Sequence, residues 1–205
     1  GGYSKVCIMP NTNPVLDKPE LIDFILDEAS SLPIDIYPIG AITKKLEGVE
    51  LAEIGSMVNS GAVAISDAYS PIMNGQVMRY ALEYAKMFDI PVINHPQDMN
   101  LVNNGVMNES SISNSLGLKG NPGISESIMI NRDLEIANYI KGKLHIPNIT
   151  CSDSISLIDR YKNNNFSLTC EISPQHLFFS DKNLIDYDTN FKLSPPLRSV
   201  EDKKK

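Results

Sequence analysis

Short strand-like runs alternate with amphipathic stretches along the chain, and this alternation constrains the fold more than any other feature of the sequence. Their starts recur about every 25–30 residues, apart from one longer gap, and a βα unit has about that length. The pattern is typical of parallel α/β proteins. The strand candidates are residues 5–9, 34–39, 62–66, 91–94, 143–149 and 167–172.

Six βα units favour an α/β fold, and specifically an incomplete (β/α)₈ TIM-type barrel. A closed barrel requires eight strands and typically about 250 residues, whereas this chain has 205. We therefore predict that residues 1–205 form the central part of a barrel whose first and last strands are absent from this chain. An open, doubly wound sheet is the competing architecture, and it would be complete at this length.

Composition excludes several classes of partner. The chain carries a net charge of −7 and has 42% apolar residues. No Lys/Arg stripe with interleaved aromatic residues occurs, so we expect no nucleic-acid partner. The apolar runs are far shorter than the roughly 20 residues of a membrane span. Cys7, Cys151 and Cys170 lack CxxC spacing, which indicates a reducing, cytoplasmic setting.

Several polar residues follow the predicted strands at the end where ligands bind in both architectures. A neutral imidazole and a carboxylate at this rim could together bind a divalent metal. Each residue also has an ordinary interpretation, because a strand-end His often bonds a loop and an Asp often caps a turn. His145 and His176 are expected to be structural. The rim residues are Asn11, Asp67, His95, Asn148 and residues 173–176.

Several longer strings are more specific than any single residue. CIMPNTNP, GAVAISD, PVINHPQD, EISPQHL and FKLSPPLRSVED occur in one order. Together they resemble the dihydroorotases of the amidohydrolase superfamily, in the class with an MPNT motif, over essentially the whole chain. The resemblance implies a (β/α)₈ barrel with two zinc ions. It also implies reversible cyclisation of a small-molecule substrate, N-carbamoyl-L-aspartate, to dihydroorotate in pyrimidine biosynthesis.

The resemblance also assigns roles to residues of this chain. His95 of HPQD matches a zinc ligand, and Asp67 of ISDA matches an aspartate that bridges the metals. Asn11 of MPNT matches an asparagine that binds the substrate carboxylate. Ser194 stands where many members have a substrate-binding asparagine. The proton-shuttle aspartate of the family is expected beyond Lys205, so we predict no catalytic residue within this chain.

Two departures from the family pattern bear on activity. Asn148 stands where the family has a zinc-binding histidine, and a neutral amide is a poor zinc ligand. The HxHxR string of the first strand and the DHAP-like string of the last strand are both absent from the sequence. The resemblance therefore implies that this chain alone is inactive, and the two zinc ions of the complete family site are not both expected to bind it.

Two other functions remain open. The first is a catalytically defective structural partner of aspartate carbamoyltransferase, an enzyme that some members of the family bind. The second is a related cyclic amidase such as a hydantoinase or an allantoinase. A homodimer is a further candidate assembly. The stretch from 101 to 123, rich in Asn, Ser and Gly, is expected to be a surface excursion or a lid.

Overall fold

The computed structural model describes residues 2–205 and contains alternating strands and helices. The strands are β1 (Lys5–Ile8), β2 (Asp35–Gly40), β3 (Ala64–Ser66), β4 (Pro91–Ile93), β5 (Met107–Asn108), β6 (Gly120–Asn121), β7 (Lys143–Ile146) and β8 (Leu168–Cys170). The helices are α1 (Pro19–Ala29), α2 (Ile54–Asn59), α3 (Gly75–Met87), α4 (Met99–Val102), α5 (Ser111–Leu116), α6 (Ile124–Ile140), α7 (Ser152–Tyr161), α8 (Pro174–Phe178) and α9 (Val200–Lys203). Three 3₁₀ turns cover Lys44–Leu46, Asp181–Leu184 and Thr189–Phe191.

The strand order distinguishes the two predicted architectures. Six strands form one sheet in the order β1-β2-β3-β4-β7-β8, and the pairs from β1 to β7 are parallel. Each strand lies beside the strand that precedes it in this sheet, whereas a doubly wound sheet reverses its order at a switch point. The prediction of an incomplete (β/α)₈-type barrel is confirmed, and the doubly wound alternative is wrong.

Helix α3 illustrates why the amphipathic stretches fold as they do. The side chain of Asn74 caps its first turn by accepting a hydrogen bond from the backbone N–H of Gln76. Apolar residues then recur at helical spacing, so that they share one face of α3 and are removed from water. The buried residues of this helix are Val77, Met78, Ala81, Leu82 and Ala85.

The chain divides into two compact units by contact density. Unit 1 comprises Gly1–His95, Ile136–His145 and Asn165–Ser167, and unit 2 comprises Pro96–Glu135, Ile146–Asn164 and Leu168–Lys205. Unit 1 has a core of fully buried apolar side chains that includes Ile22, Ile42, Met57, Ile65, Met78 and Leu82. The buried apolar residues of unit 2 include Met107, Met129, Ile130, Leu134 and Leu197.

The stretch from 101 to 123 is a packed part of unit 2. It contains the end of α4, the two-stranded β5-β6 sheet and α5. Met107 lies in a buried apolar cluster with Leu184 and Leu197. The hydroxyl of Tyr187 donates to the carbonyl of Leu116 at 2.8 Å. The structure therefore differs from the expected surface excursion or lid, because apolar residues spaced along the stretch find partners near the C-terminus.

One predicted strand is shorter in the structure. The sequence predicts a strand over residues 143–149, but β7 ends at Ile146. Pro147 lacks the N–H that a ladder requires, and Asn148 has a left-handed backbone with φ of +53°. Within residues 2–205, no helix combines the length and apolar character that crossing a lipid bilayer requires.

Candidate functional site

Unit 1 places three predicted site residues at the carboxyl ends of its parallel strands. Asn11 follows β1, Asp67 follows β3 and His95 follows β4. Because β1 to β4 are consecutive and parallel, these ends lie at the same edge of the sheet. The rim expected from the strand ends is therefore present in unit 1.

Asp67 is a buried carboxylate that holds a neighbouring loop. Its Oδ1 accepts hydrogen bonds from the backbone N–H groups of Ile42 at 2.8 Å and Thr43 at 3.0 Å. Its Oδ2 accepts from the Thr43 hydroxyl. Burial raises the pKa of Asp67, although these three hydrogen bonds oppose the shift. In the structure this side chain organises the loop after β2 instead of capping its own turn.

His95 lies just below the surface beside the loop that Asp67 begins. The imidazole is 3% exposed, and the ring of Tyr69 packs edge-on against it with centroids 5.9 Å apart. The next residue back, Asn94, accepts a hydrogen bond from the backbone N–H of Ile72 through its Oδ1. The β3–α3 loop is thus fixed against the end of β4, which places His95 at the rim.

Asn11 is the exposed member of the rim in unit 1. It follows Pro10, whose carbonyl accepts a hydrogen bond from the N–H of Leu16 at 3.1 Å. Within this loop the hydroxyl of Thr12 donates to the Pro14 carbonyl at 2.6 Å. The loop is therefore closed on itself by two hydrogen bonds, and the Asn11 amide projects from an ordered turn.

Asn148 occupies the corresponding strand end in unit 2. It is half-buried and follows Pro147 immediately after β7. Its left-handed φ of +53° is a conformation that Asn adopts more readily than most residues. Asn148 therefore has a backbone role in ending the strand, and its neutral amide supplies no anionic or imidazole ligand.

A second buried acid holds the loop after β7 in the same way as Asp67 holds the loop after β2. Glu126 is fully buried, and its Oε1 accepts from the backbone N–H groups of Thr150 at 2.9 Å and Cys151 at 3.0 Å. Its Oε2 accepts from the Thr150 hydroxyl. Glu126 was not predicted from the sequence, because an acid within a helix is ordinarily expected on the solvated face.

Arg198 of the PPLR string is buried and tied to three separate segments of unit 2. Its Nε donates to the Thr150 hydroxyl oxygen at 3.1 Å. Its Nη1 donates to Asn108 Oδ1 at 3.3 Å and to the carbonyl of Asn121 at 2.6 Å. The Thr150 hydroxyl in turn contacts Glu126, so a buried cation and a buried anion share one neutral bridging group. The PPLR string belongs to the family resemblance, but the sequence revealed neither a role for Arg198 nor its partners.

His176 anchors the loop that carries Ser194. Its Nδ1 lies 2.7 Å from the Ser173 hydroxyl, and its Nε2 lies 3.0 Å from the carbonyl of Pro195. A carbonyl only accepts, so Nε2 carries the proton and donates. Burial lowers the pKa of His176, which keeps the ring neutral. The expected structural role of His176 is consistent with this geometry, and Ser194 itself is exposed.

Cys151, in the loop after β7, is buried and unreactive. Burial raises the pKa of the Cys151 thiol to about 12. Its Sγ contacts the carbonyl of Gly123 at 3.7 Å. A thiol that stays protonated at neutral pH is a poor nucleophile and a poor metal ligand.

The residues of the described chain do not by themselves fit a two-metal centre. Within residues 2–205, no group of three or more His, Cys, Asp or Glu side chains is arranged to hold a metal ion. Structural zinc sites have four protein ligands and catalytic sites typically three. Both oxygens of Asp67 are engaged by the 42–43 loop, and Asn148 carries a neutral amide.

The chain is similar in sequence to dihydroorotases over nearly its whole length. A family model described as Dihydro-orotase-like matches residues 1–154. A dihydroorotase from Desulforapulum autotrophicum is 43% identical over 99% of this chain and 48% of the relative. A dihydroorotase from Ruminiclostridium cellulolyticum is 41% identical over 98% of this chain and 47% of the relative. The chain therefore spans slightly less than half the length of these relatives.

Solved structures with the same fold are more distant in sequence. An L-hydantoinase (dihydropyrimidinase) from Arthrobacter aurescens superposes with a TM-score of 0.80 at 17% identity, covering 100% of this chain and 47% of that chain. A dihydroorotase from Saccharomyces cerevisiae, solved with 5-fluoroorotic acid, superposes with a TM-score of 0.72 at 14% identity. That match covers 100% of this chain and 57% of that chain.

Proposed function

Because the chain belongs to the dihydroorotase-like family, whose members are metal-dependent amidohydrolases, we propose that the protein containing it is a dihydroorotase. The reaction is the reversible cyclisation of N-carbamoyl-L-aspartate to dihydroorotate in pyrimidine biosynthesis. The observation that carries this proposal is the 38–43% identity, over nearly the whole chain, to relatives named dihydroorotase.

Two exposed residues are proposed to contact the substrate. Asn11 lies in the ordered loop after β1, and its amide NH₂ can donate to a carboxylate, while its amide oxygen can accept from a ureido N–H. Ser194 lies in unit 2 in the loop that His176 holds through the Pro195 carbonyl. Both side chains are exposed, as substrate-binding groups must be before the substrate arrives.

We propose that zinc is the metal of the complete protein and that flanking segments supply most of its ligands. His95 is the residue of this chain best suited to contribute, because imidazole is a good zinc ligand and its ring lies at the rim. A bridging role for Asp67 is supported less well, since both of its oxygens already accept hydrogen bonds. The shuttle aspartate is likewise proposed to lie in a flanking segment.

The test is turnover by the full-length protein. We expect N-carbamoyl-L-aspartate to be cyclised at acidic pH and dihydroorotate to be opened at alkaline pH, because ring closure consumes a proton. Hydantoin and allantoin serve as competing substrates. Turnover of either compound without turnover of dihydroorotate would favour the related cyclic amidases instead.

A second candidate function is a catalytically defective partner of aspartate carbamoyltransferase. The observation that favours it is Asn148, a neutral residue at a position where the family has a zinc-binding histidine. Comigration of the inactive full-length protein with aspartate carbamoyltransferase in size-exclusion chromatography would support this role. An active enzyme that migrates as a homodimer without the transferase would contradict it.

The substitution Asn148→His tests how far this position limits metal binding. Histidine tolerates the left-handed backbone better than most residues, so the variant is expected to fold. We expect the zinc content of the full-length protein to rise by about one ion per protomer, measured by atomic absorption. Asn148→Gly is the matched control, since glycine accepts the backbone conformation and offers no ligand. Equal zinc content in both variants would show that position 148 does not bind metal.

We also propose a cytoplasmic location. Pyrimidine synthesis from small soluble precursors takes place in that compartment, and the cysteine pattern agrees with it. Cys7 and Cys170 are exposed and Cys151 is buried, and all three are free thiols. Free, exposed thiols persist in a reducing compartment.

A further inference from the structure

Helix α3 carries a row of exposed side chains on the side opposite its buried face. The row consists of Gln76, Tyr80, Tyr84 and Met87, which are spaced by four, four and three residues. Side chains at these intervals are neighbours along one side of a helix. Tyr80 is 49%, Tyr84 46% and Met87 75% exposed, so this row presents apolar surface to solvent.

A third exposed tyrosine lies beside this row. Tyr139 is in the last turn of α6, within unit 1, and is 78% exposed. The pKa of Arg79 is raised mainly by Glu83, and the phenols of Tyr139 and Tyr80 also contribute, which places both rings near Arg79. We define the α3 patch as the six residues Arg79, Tyr80, Glu83, Tyr84, Met87 and Tyr139.

The charges of the α3 patch are self-complementary. Arg79 Nε lies 2.9 Å from Glu83 Oε1, and the two side chains are 47% and 40% exposed. An exposed pair of this kind contributes little to stability, so either side chain can exchange its partner at small cost. If two copies of α3 meet antiparallel across a two-fold axis, Arg79 of each copy approaches the partner's Glu83.

The aromatic residues of the patch fit the same two-fold axis. The axis that relates Arg79 to the partner's Glu83 passes midway between positions 79 and 83 of the helix. The midpoint between Tyr80 and Tyr84 lies one residue further along, a displacement of only about 1.5 Å. One axis therefore brings opposite charges together and places Tyr80 of each copy near the partner's Tyr84.

The composition and size of the patch suit a protein interface. Tyrosine, methionine and arginine are enriched in protein–protein interfaces, and tyrosine and arginine often dominate their binding energy. The exposed parts of Tyr80, Tyr84, Met87 and Tyr139 amount to roughly 500 Å² per copy. Stable interfaces bury roughly 800 Å² per partner, and the polar side chains around the four apolar ones can supply much of the remainder.

The position of α3 in the fold keeps the patch accessible. Helix α3 connects β3 and β4, and each of these strands pairs with a neighbour on both sides. The free edges of the main sheet belong to β1 and β8. Further strands of a complete barrel would join those two edges, so we expect the flanking segments of the full-length protein to leave the α3 patch exposed.

We propose that the α3 patch is the isologous contact of a homodimer, in which two α3 helices lie antiparallel across a two-fold axis. Arg79 of each copy pairs with the partner's Glu83, and the tyrosines and Met87 form the apolar centre of the contact. This inference is independent of the proposed activity, because none of the patch residues is assigned to the candidate site. Its failure would leave the proposed function unchanged.

Charge reversal tests the pairing in the full-length protein. Arg79→Glu and Glu83→Arg each place like charges in both contacts of the dimer. The dimer dissociation constant, measured by analytical ultracentrifugation, is expected to rise at least about tenfold in each single variant. The double variant Arg79→Glu/Glu83→Arg restores opposite charges, and its dissociation constant is expected to return to within about threefold of the wild-type value.

Mixing the two single variants gives a sharper test. One variant then has two acids at the contact and the other has two arginines, so both contacts between unlike copies are attractive. We expect native mass spectrometry of the mixture to show heterodimers in excess of both homodimers. Repulsion within each α3 helix is the same in the mixture as in the separate variants, so only contact between copies can restore the dimer.

An exposed aromatic residue outside the patch provides the matched control. Tyr80→Ser is expected to raise the dimer dissociation constant about tenfold or more, as for a residue at the centre of an interface. Phe24→Ser, at a 58% exposed position on α1, is expected to change it less than about twofold. Circular dichroism of both variants checks that the fold is retained.

Three results would overturn the proposed dimer. The first is a wild-type full-length protein that is monomeric at a concentration of about 100 μM, well above the dissociation constant of a specific interface. The second is a dimer that the charge reversals leave unchanged, with no excess of heterodimers in the mixture. The third is a monomer whose comigration with aspartate carbamoyltransferase is lost in Tyr80→Ser, which would assign the patch to the transferase.

Discussion

At the scale of single residues, two buried acids determine how the loops after β2 and β7 are held. Asp67 and Glu126 each use one carboxylate oxygen to accept two consecutive backbone N–H groups. The other oxygen accepts from a threonine hydroxyl, Thr43 in one case and Thr150 in the other. The same arrangement occurs once in each unit. We therefore interpret Asp67 as a residue that holds a loop in place.

Removing the Asp67 carboxylate is expected to destabilise the fold. Asp67→Ala leaves the N–H groups of Ile42 and Thr43 without acceptors, which should cost about 1–3 kcal/mol of unfolding free energy. Asp67→Asn keeps one acceptor oxygen for these donors and should cost less. Urea unfolding measures both values. Equal losses in the two variants would mean that the negative charge, and not the acceptor geometry, is what the loop requires.

The lowered pKa of His176 predicts that the stability of the fold depends on pH. Burial lowers its pKa in the folded protein below the ordinary value of 6.5, so folding expels a proton from this ring. The unfolded chain then binds more protons between the two pKa values, and stability should rise with pH through that window and level off above 6.5. Glu126 and Arg198 shift this pKa in opposite directions.

The check is a series of urea midpoints between about pH 5 and 8, around the ordinary range of histidine titration. His176→Gln can still donate to the Pro195 carbonyl but cannot titrate, so its stability curve should be flatter than that of the wild type. A variant with the same slope as the wild type would assign the dependence to another group.

Sequence reasoning located the rim residues but not their bonding partners. Asp67 and His95 stand out because each follows a short apolar run, and the structure places both at strand ends. The partners of Asp67 lie 24 and 25 residues earlier in the chain, and no local pattern encodes these pairings. Glu126 was missed for the same reason, since its partners lie 24 and 25 residues later.

At the scale of secondary-structure elements, the short sheet of β5 and β6 depends on close backbone approach. A Cβ at Gly105 would lie 2.2 Å from the carbonyl oxygen of Gly120, far inside contact distance. Gly105→Ala should therefore separate the two segments and cost about 1–3 kcal/mol of stability.

Thermal unfolding followed by circular dichroism measures this cost. Ser115→Ala is the matched control, because Ser115 is exposed on α5 in the same stretch. The Ser115 hydroxyl donates to the carbonyl of Ile112 within that helix. A Gly105→Ala variant as stable as Ser115→Ala would show that the β5-β6 sheet contributes little to unit 2.

Element types were predictable from the sequence, whereas several ends were not. Apolar periodicity identified all six strands of the main sheet and the long helices, because burial of an apolar face dominates those segments. The predicted end of β7 was too late because the apolar Ile149 was counted with the strand. Pro147 and the left-handed Asn148 end it earlier.

At the scale of the whole molecule, Arg198 joins parts of unit 2 that are far apart in sequence. Its hydrogen bonds reach residues 48, 77 and 90 positions away. Arg198→Met should leave the Thr150, Asn108 and Asn121 oxygens without this donor and cost about 3–5 kcal/mol, as expected when a buried charged network is broken.

Hydrogen exchange distinguishes a global effect from a local one. If Arg198 supports unit 2 as a whole, amides of α6, α7 and β5 should lose protection together. Arg160→Met, at an exposed site on α7, should change stability by less than about 0.5 kcal/mol. Loss of protection confined to residues next to Arg198 would contradict the cooperative role.

The strand order could be predicted from the sequence, but the division into two units could not. A regular βα repeat implies consecutive neighbours, and the structure has that order. The packing of residues 101–123 against the C-terminal stretch depends on contacts between Met107, Leu184 and Leu197. These residues are far apart in the sequence, and their contacts depend on how their side chains fit together. Local apolar periodicity does not predict such contacts.

Two acid–threonine pairs, Asp67 with Thr43 and Glu126 with Thr150, stabilise loops at the carboxyl ends of the strands. Because buried carboxylates hold the backbone of the loops after β2 and β7, the exchange of a rim side chain such as that of Asn148 need not disturb the surrounding structure. Side chains at this rim can therefore vary while the backbone that carries them is retained.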